Sequence, residues 1–250
     1  MLKRVKAGMV LAAGLGLRMR PLTETTPKPL IPVAGRTLLD RMIDRFQDAG
    51  VETVVVNVHH LADQVNEHLK NRAAPAIIIS DERDSLLETG GGLKKALGLL
   101  GDQPFFAANA DAILLNANTP ALGRLMEQWD DEKMDGLLLL HSTVEAYGYT
   151  GAGDFNADAT GKLVRRAELE IAPYLFTGVQ LLHPRLFDGA PDGPFSLNVL
   201  YDKALENDRL FGVVHDGEWF HVGDPEGLAD VEGYMSESYP GVRHRGDPVG

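Results

Sequence analysis

The sequence predicts an α/β fold built around a largely parallel sheet. Short apolar, β-branched runs alternate with amphipathic stretches through most of the chain, the pattern of repeated strand–helix–strand units. The first such run ends in a glycine-rich turn, and the 250 residues, 44% hydrophobic and 24% charged, suffice for one α/β domain with embellishments.

Taken in order, Met9 to Ala13 reads as a strand running into the turn Gly14-Leu15-Gly16. Thr37 to Ala49 reads as a helix, because Leu38, Leu39, Met42, Ile43 and Phe46 share one face and Gly50 stops it. Thr53 to Val58 is the second strand, Leu61, Val65 and Leu69 stripe the next helix, and Ala76 to Ile79 form the third strand. A helix striped by Leu93, Ala96, Leu97 and Leu100 follows the run Gly90-Gly91-Gly92, and Phe105 to Ala108 is the fourth strand. Beyond Trp129 the pattern weakens, leaving Gly136 to Leu140 and Leu175 to Leu182 as buried strands and Val199 to Leu205 as part of a helix. The sequence has no internal repeat, and its Gly-, Pro- and charge-rich end reads as a loosely held tail over 238–250.

The net charge of −12 and a pI near 5.1 exclude a nucleic acid or an anionic membrane as an expected partner, because the general field repels polyphosphate. Any phosphate must be held by a few local donors. The absence of cysteine excludes disulfides, thiolate metal sites and cysteine nucleophiles, and fits the cytoplasm. The basic start, Met1 to Lys6, leads into an apolar run that stops at Gly14, too short for a secretory signal, and no segment is apolar enough to span a bilayer.

Chemistry concentrates first in Leu11-Ala12-Ala13-Gly14-Leu15-Gly16-Leu17-Arg18-Met19-Arg20-Pro21, followed by Pro27-Lys28-Pro29-Leu30. Small residues after a buried strand let a ligand approach the backbone, and successive N–H groups in such a turn form a concave site for phosphate oxygens. Arg18 adds a planar fork and Lys28 a compact charge. The same residues also describe a tight turn with two solvated cations. No Gly-Lys-Ser/Thr closes a phosphate loop, and Met19 stands where a dinucleotide fingerprint needs a small residue.

A second concentration lies at the end of the fourth strand, where Asn109-Ala110-Asp111 delivers a carboxylate toward the same crevice. Mg²⁺ favours one or two carboxylates with phosphate oxygens and water, which makes Asp111 the first-choice ligand, although an Asp in that position also serves as a cap or turn former. Asp224, just before Pro225, has the sequence context of a helix cap. The stretch Glu88-Thr89-Gly90-Gly91-Gly92 suits either a backbone-lined base site or a helix start, and His59-His60 reads as a polar loop pair.

Together these motifs resemble the signature of the sugar-1-phosphate nucleotidyltransferase family: Leu-Ala-Ala-Gly, a variable residue, Gly, a variable residue, Arg-Met, Pro, and later Pro-Lys-Pro. The resemblance runs from Val5 to about Leu228 and implies a three-layer, Rossmann-like, mixed and mostly parallel sheet of the nucleotide-diphospho-sugar transferase type. It implies one domain over 1–237, with a nucleotide-binding half over about 1–115 and a sugar-binding half over about 116–237. On the nucleotide it places Leu11, Ala12, Ala13, Gly14, Gly16, Arg18, Lys28, Glu88, Thr89 and Gly90, with Arg18 on the β- and γ-phosphates and Lys28 on the α-phosphate. Arg18, Lys28 and Asp111 are then the catalytic residues and Mg²⁺ the cofactor.

The segment Trp219-Phe220-His221-Val222-Gly223-Asp224-Pro225 resembles the family's Trp-x-Asp-x-Gly motif, but His221 replaces the usual second magnesium aspartate. His221 and Asp224 are therefore both candidates to join Asp111 on the metal, and Ala110 replaces a usual Gly. The family's motif around Asp111 also implies Asn109 as a sugar contact, and the runs Leu86 to Gly92, Gly151 to Phe155 and Phe176 to Val179 resemble those of the muramic-acid-1-phosphate uridylyltransferases, which adds Asp154 and Gly178. The resemblance implies a monomer or homodimer that uses a nucleoside triphosphate, UTP first, and a sugar 1-phosphate, N-acetylmuramate 1-phosphate first. Mannose-1-phosphate guanylyl transfer is the alternative reaction, and a non-catalytic nucleotide-sugar sensor the alternative class, motivated by His221.

Overall fold

The computed structural model describes residues 2 and 4–238. The chain opens with β1 (Ala7–Leu11), the short hairpin β2 (Pro32–Val33) and β3 (Arg36–Thr37), α1 (Leu38–Asp48), β4 (Thr53–Val58), α2 (Ala62–Leu69), β5 (Ala76–Asp81), α3 (Glu88–Leu100) and β6 (Phe105–Asn109). It continues with β7 (Ala112–Leu115), α4 (Ala121–Gln128), β8 (Gly136–Ser142), β9 (Phe155–Ala157), β10 (Leu163–Arg165), β11 (Tyr174–Leu182), α5 (Asn198–Glu206), β12 (Leu210–Val214), β13 (Glu218–His221) and α6 (Pro225–Ser238). Of the expected tail over 238–250, Ser238 belongs to α6 and the remainder lies outside the described residues.

The main sheet runs β5-β4-β1-β6-β11 and continues through β8 to β12, while the hairpin β9–β10 joins β11 at Tyr174. Strands β5, β4, β1 and β6 are parallel, β11 is antiparallel to both β6 and β8, and β8 is parallel to β12. Alternation of side chains explains the three layers. In β4, Val54, Val56 and Val58 enter the apolar cluster that also holds Met42, Ile43 and Phe46 of α1 and Leu125 of α4. Val55 faces the opposite cluster, with Leu93 and Ala96 of α3 and Leu200 and Tyr201 of α5. Burial on both faces is what demands the unbroken apolar runs seen in the sequence.

The first strand is shifted from its expected span of Met9 to Ala13. Ala12 and Ala13 leave the ladder because the Ala12 N–H turns to the side chain of Asn57, at 2.7 Å. A separate antiparallel pair, β7 with β13, stands beyond β6 and sets His221 opposite Ala112. Neither strand is evident from sequence, since β7 follows β6 after two residues and β13 is only half apolar. A third cluster, containing Met19, Ile31, Ile113, Phe220 and Val231, fastens the loop after β1 to this pair and to α6.

An ionic network fixes α1 against the end of α2. Asp40 accepts the Thr37 hydroxyl at 2.8 Å, lies 2.8 Å from His68 Nε2, and pairs with Arg72 at 2.8 Å, while Asp44 pairs with Arg36 and Arg72. Burial opposes ionisation of Asp40, but the His68 and Thr37 hydrogen bonds and the His68 and Arg36 charges prevail and lower its pKa to about 2. Because the folded value lies below the unfolded one, the carboxylate stabilises the fold above pH 4, and that contribution disappears as pH falls toward 2. Asp40→Asn should therefore lower stability at pH 7 by about 2 kcal/mol. Chemical denaturation at stepped pH should show the difference from wild type closing between pH 4 and 2.

Candidate active site

The carboxyl ends of β1, β4, β5 and β6 surround a cavity of about 360 Å³. Of the residues singled out in the sequence, Leu11, Ala12, Ala13, Gly14, Gly16, Lys28, Glu88, Thr89, Asn109 and Asp111 line it. Gly16 adopts a left-handed conformation (φ 61°), and a Cβ there would meet Thr23 at 2.9 Å and Lys28 at 3.1 Å, so glycine is required. At Gly14 a Cβ would meet nothing within 4 Å; its bareness keeps the cavity open and serves no packing.

Lys28 occupies a single helical turn, Lys28–Leu30, between Pro27 and Pro29, and extends its nearly buried ammonium to Asp111 Oδ2 at 2.5 Å. Arg18 lies on the turn Leu17–Met19, anchored by fully buried Met19; it is exposed and outside the cavity wall, but its charge reaches His221. His221 stands across the β7–β13 pair from Ala112, next in sequence to Asp111. Burial lowers its pKa and the Asp111 carboxylate pulls the other way. The ring folds over Gly223, where any Cβ would fall 2.2 Å from Nε2.

Asp224 accepts the Gly227 N–H at 2.9 Å and so caps α6. Among the described residues no three His, Cys, Asp or Glu side chains converge on a common point. Asp111 offers the oxygen donor that a hard cation takes, with phosphate oxygens and water to complete the shell, whereas His221, across the pair from Ala112, offers only an imidazole nitrogen.

The glycine run is not a loop. All three glycines lie inside α3, and each answers a different neighbour: a Cβ at Gly90 would strike the Phe195 ring at 2.3 Å, one at Gly91 the Gly193 carbonyl at 2.5 Å, and one at Gly92 Glu82 Oε1 at 2.8 Å. Gly90 is buried and its N–H donates to the Phe195 carbonyl at 2.9 Å, so it stands behind the wall that Glu88 and Thr89 form. Glu88 itself holds a positive φ of 59° without being glycine, a strained start to the helix.

Two wall residues, Asn57 and Glu82, escape the motif reading. Ala12 N–H donates to Asn57 Oδ1, Asn57 Nδ2 donates to Glu82 Oε1 at 2.8 Å, and Leu87 N–H donates to Glu82 Oε2 at 3.2 Å. Glu82 is 1% exposed and Asn57 2%. A signal exists for Asn57, the one polar residue in Val54-Val55-Val56-Asn57-Val58; Glu82 sits in Asp81-Glu82-Arg83-Asp84 and looks like solvated surface. His59 and His60 hydrogen-bond to the carbonyls of Glu82 and Thr23, in keeping with a structural pair.

Beyond Asn109, Gly178 has φ 87° at the bulge of β11, and a Cβ there would lie 2.9 Å from the Asn109 amide. Asp154 Oδ2 accepts the Phe176 N–H at 2.8 Å, which holds Asp154 beside this bulge and outside the cavity wall. Trp219 Nε1 donates to the Thr177 carbonyl at 3.0 Å.

Residues 8–153 match the model of the MobA-like NTP transferase domain family. The chain is 46% identical to the N-acetylmuramate alpha-1-phosphate uridylyltransferase of Caulobacter vibrioides, over 93% of this chain and 98% of that protein. It is 35% identical to the protein of the same name from Neisseria meningitidis serogroup B, over 86% and 92%. Its fold is similar to that of the inositol-1-phosphate CTP transferase from T. maritima, with a TM-score of 0.77 at 17% identity, covering 98% of this chain and 100% of the other.

The glycine contacts yield a paired prediction. Gly92→Ala should displace the Glu82 carboxylate and lower stability by about 1–3 kcal/mol. Gly98→Ala, in the same helix with nothing within 4 Å of its Cβ, should raise stability by about 0.5–1 kcal/mol. Urea titration of the two variants checks both signs.

Proposed function

The chain belongs to the MobA-like NTP transferase domain family and to the sugar-1-phosphate nucleotidyltransferases, and we propose that it forms UDP-N-acetylmuramate and pyrophosphate from UTP and N-acetylmuramate 1-phosphate. The observation that carries the reading is that the glycine turn, Lys28 and Asp111 meet at one cavity, in a chain that matches those relatives almost end to end. Residues 1–237 act as one domain. In support, a single apolar cluster extends from Val5 to Trp219 and crosses the two halves about 1–115 and 116–237. In this reading the enzyme is cytoplasmic and monomeric or homodimeric. No helix among the described residues is long and apolar enough to cross a membrane.

The base and ribose lie between Ala12–Gly14 and Glu88–Thr89, the triphosphate bends over Gly14–Gly16, and Arg18 holds its β- and γ-phosphates. An oxygen of the sugar 1-phosphate, approaching from Asn109, Gly178 and Asp154, attacks the α-phosphorus in line. The new P–O bond forms as the bond to the β-phosphate oxygen breaks, and pyrophosphate leaves with that electron pair. No protein nucleophile takes part. Lys28 neutralises the α-phosphate under attack, so catalysis is positioning and charge compensation. Magnesium, held by Asp111 with His221 directly or through water, would supply positive charge shared among the phosphates; Asp224 keeps its place as a helix cap.

Pyrophosphate release across a matrix of triphosphates and sugar 1-phosphates, with and without Mg²⁺, tests the reading. UTP with N-acetylmuramate 1-phosphate should give the highest kcat/KM, and omission of Mg²⁺ should abolish it. A preference for GTP with mannose 1-phosphate would overturn the substrate assignment. Asp111→Asn and Lys28→Ala should each lower kcat by about 10²- to 10³-fold with unchanged melting, and near-normal rates in both would refute their roles.

A further inference from the structure

We infer that Arg166 is the specificity residue that reads an acidic substituent on the sugar. This rests on N-acetylmuramate 1-phosphate as substrate. Its lactyl ether ends in a carboxylate that N-acetylglucosamine 1-phosphate lacks. In a chain of net charge −12 such a group needs a local cation.

On the sugar side the structure offers one in a fixed place. Tyr149 packs edge-on against His221 and Trp219, with ring centroids 6.3 and 6.0 Å away, and its hydroxyl accepts the Gly153 N–H at 3.2 Å. The Gly153 carbonyl accepts Arg166 Nε at 3.2 Å. Tyr149 and Gly153 thus connect Arg166 with His221 on β13, and we assign the far side of a hexose held at Asn109 and Gly178 to that connection.

Its guanidinium is held by neutral acceptors. Nη1 donates to the carbonyls of Ala167, Glu168 and Glu170 at 3.0, 2.9 and 2.9 Å. None of the ion pairs among the described residues involves Arg166, whereas Lys28 pairs with Asp111 and Arg165 with Asp202. Burial and Asp154 raise the pKa of the Tyr149 hydroxyl while Arg166 lowers it, which puts both charges within reach of that ring. A fork pinned at Nε and Nη1 and engaged in none of these ion pairs keeps Nη2 for a ligand. It loses little side-chain freedom on binding a carboxylate.

The test compares kcat/KM with UTP for N-acetylmuramate 1-phosphate, its lactyl amide and N-acetylglucosamine 1-phosphate, in wild type, Arg166→Gln and Arg166→Lys. Wild type should favour the acid over the amide by about 10- to 100-fold. Arg166→Gln should lose that preference and retain its rate on the two neutral sugars, and Arg166→Lys should restore part of it. An acid-to-amide ratio near one in wild type, or an unchanged ratio in Arg166→Gln, overturns the inference and leaves the uridylyltransferase reading standing. Should Arg166→Gln fail to fold, the wild-type ratio and Arg166→Lys decide. Wild type that turns over none of the three sugars with UTP overturns that reading, and the Arg166 assignment with it.

Discussion

A buried carboxylate holds the crevice together. Glu82 directly follows β5 with almost no exposure, and a carboxyl group in that position is destabilising unless donors surround it. It receives Asn57 from β4 and the Leu87 N–H that leads into α3, and Asn57 in turn receives the Ala12 N–H that follows β1. Three neighbouring strand ends and one helix start are thereby fixed in a single transverse relay. The glycine turn and the Glu88–Thr89 wall stand in a set relation because both are anchored to it. Gly92 is part of the same arrangement, since only a missing side chain leaves the carboxylate room.

The electrostatics follow from scarcity. An acidic chain that handles polyphosphate cannot rely on its general field, so cations must be concentrated where the phosphates lie. Lys28 reaches Asp111 from a proline-flanked turn, and Arg18 is carried by a turn whose buried Met19 belongs to the same cluster as Phe220 and Val231. The loop after β1 thus acquires its position from α6 and the β7–β13 pair, far away in sequence. His221 is positioned by the same route, set by strand register across from Ala112, the residue after Asp111.

The reversal of β11 shapes the other half. By running antiparallel between β6 and β8, it brings a bulged segment around Gly178 against Asn109 at the end of β6. The same strand receives Asp154 through the Phe176 N–H, and with it the Gly153–Arg166 connection. This side of the molecule is therefore assembled from segments that precede β9, follow β10 and interrupt β11.

The parallel half of the sheet, the glycine turn, Lys28 and Asp111 are legible in the residue order, because each depends on local pattern: unbroken apolar runs buried on both faces, a turn that only glycine can make, a carboxylate at a strand end. Other features are settled by packing between distant segments. That the glycine run lies within α3, that Gly90 stands behind Phe195, and that His221 stands across the β7–β13 pair from Ala112 all depend on what packs against those residues. Asn57 and Glu82 belong to the same class. A polar side chain reveals its importance only once burial removes water and leaves its hydrogen bonds to partners 25 and 45 residues away.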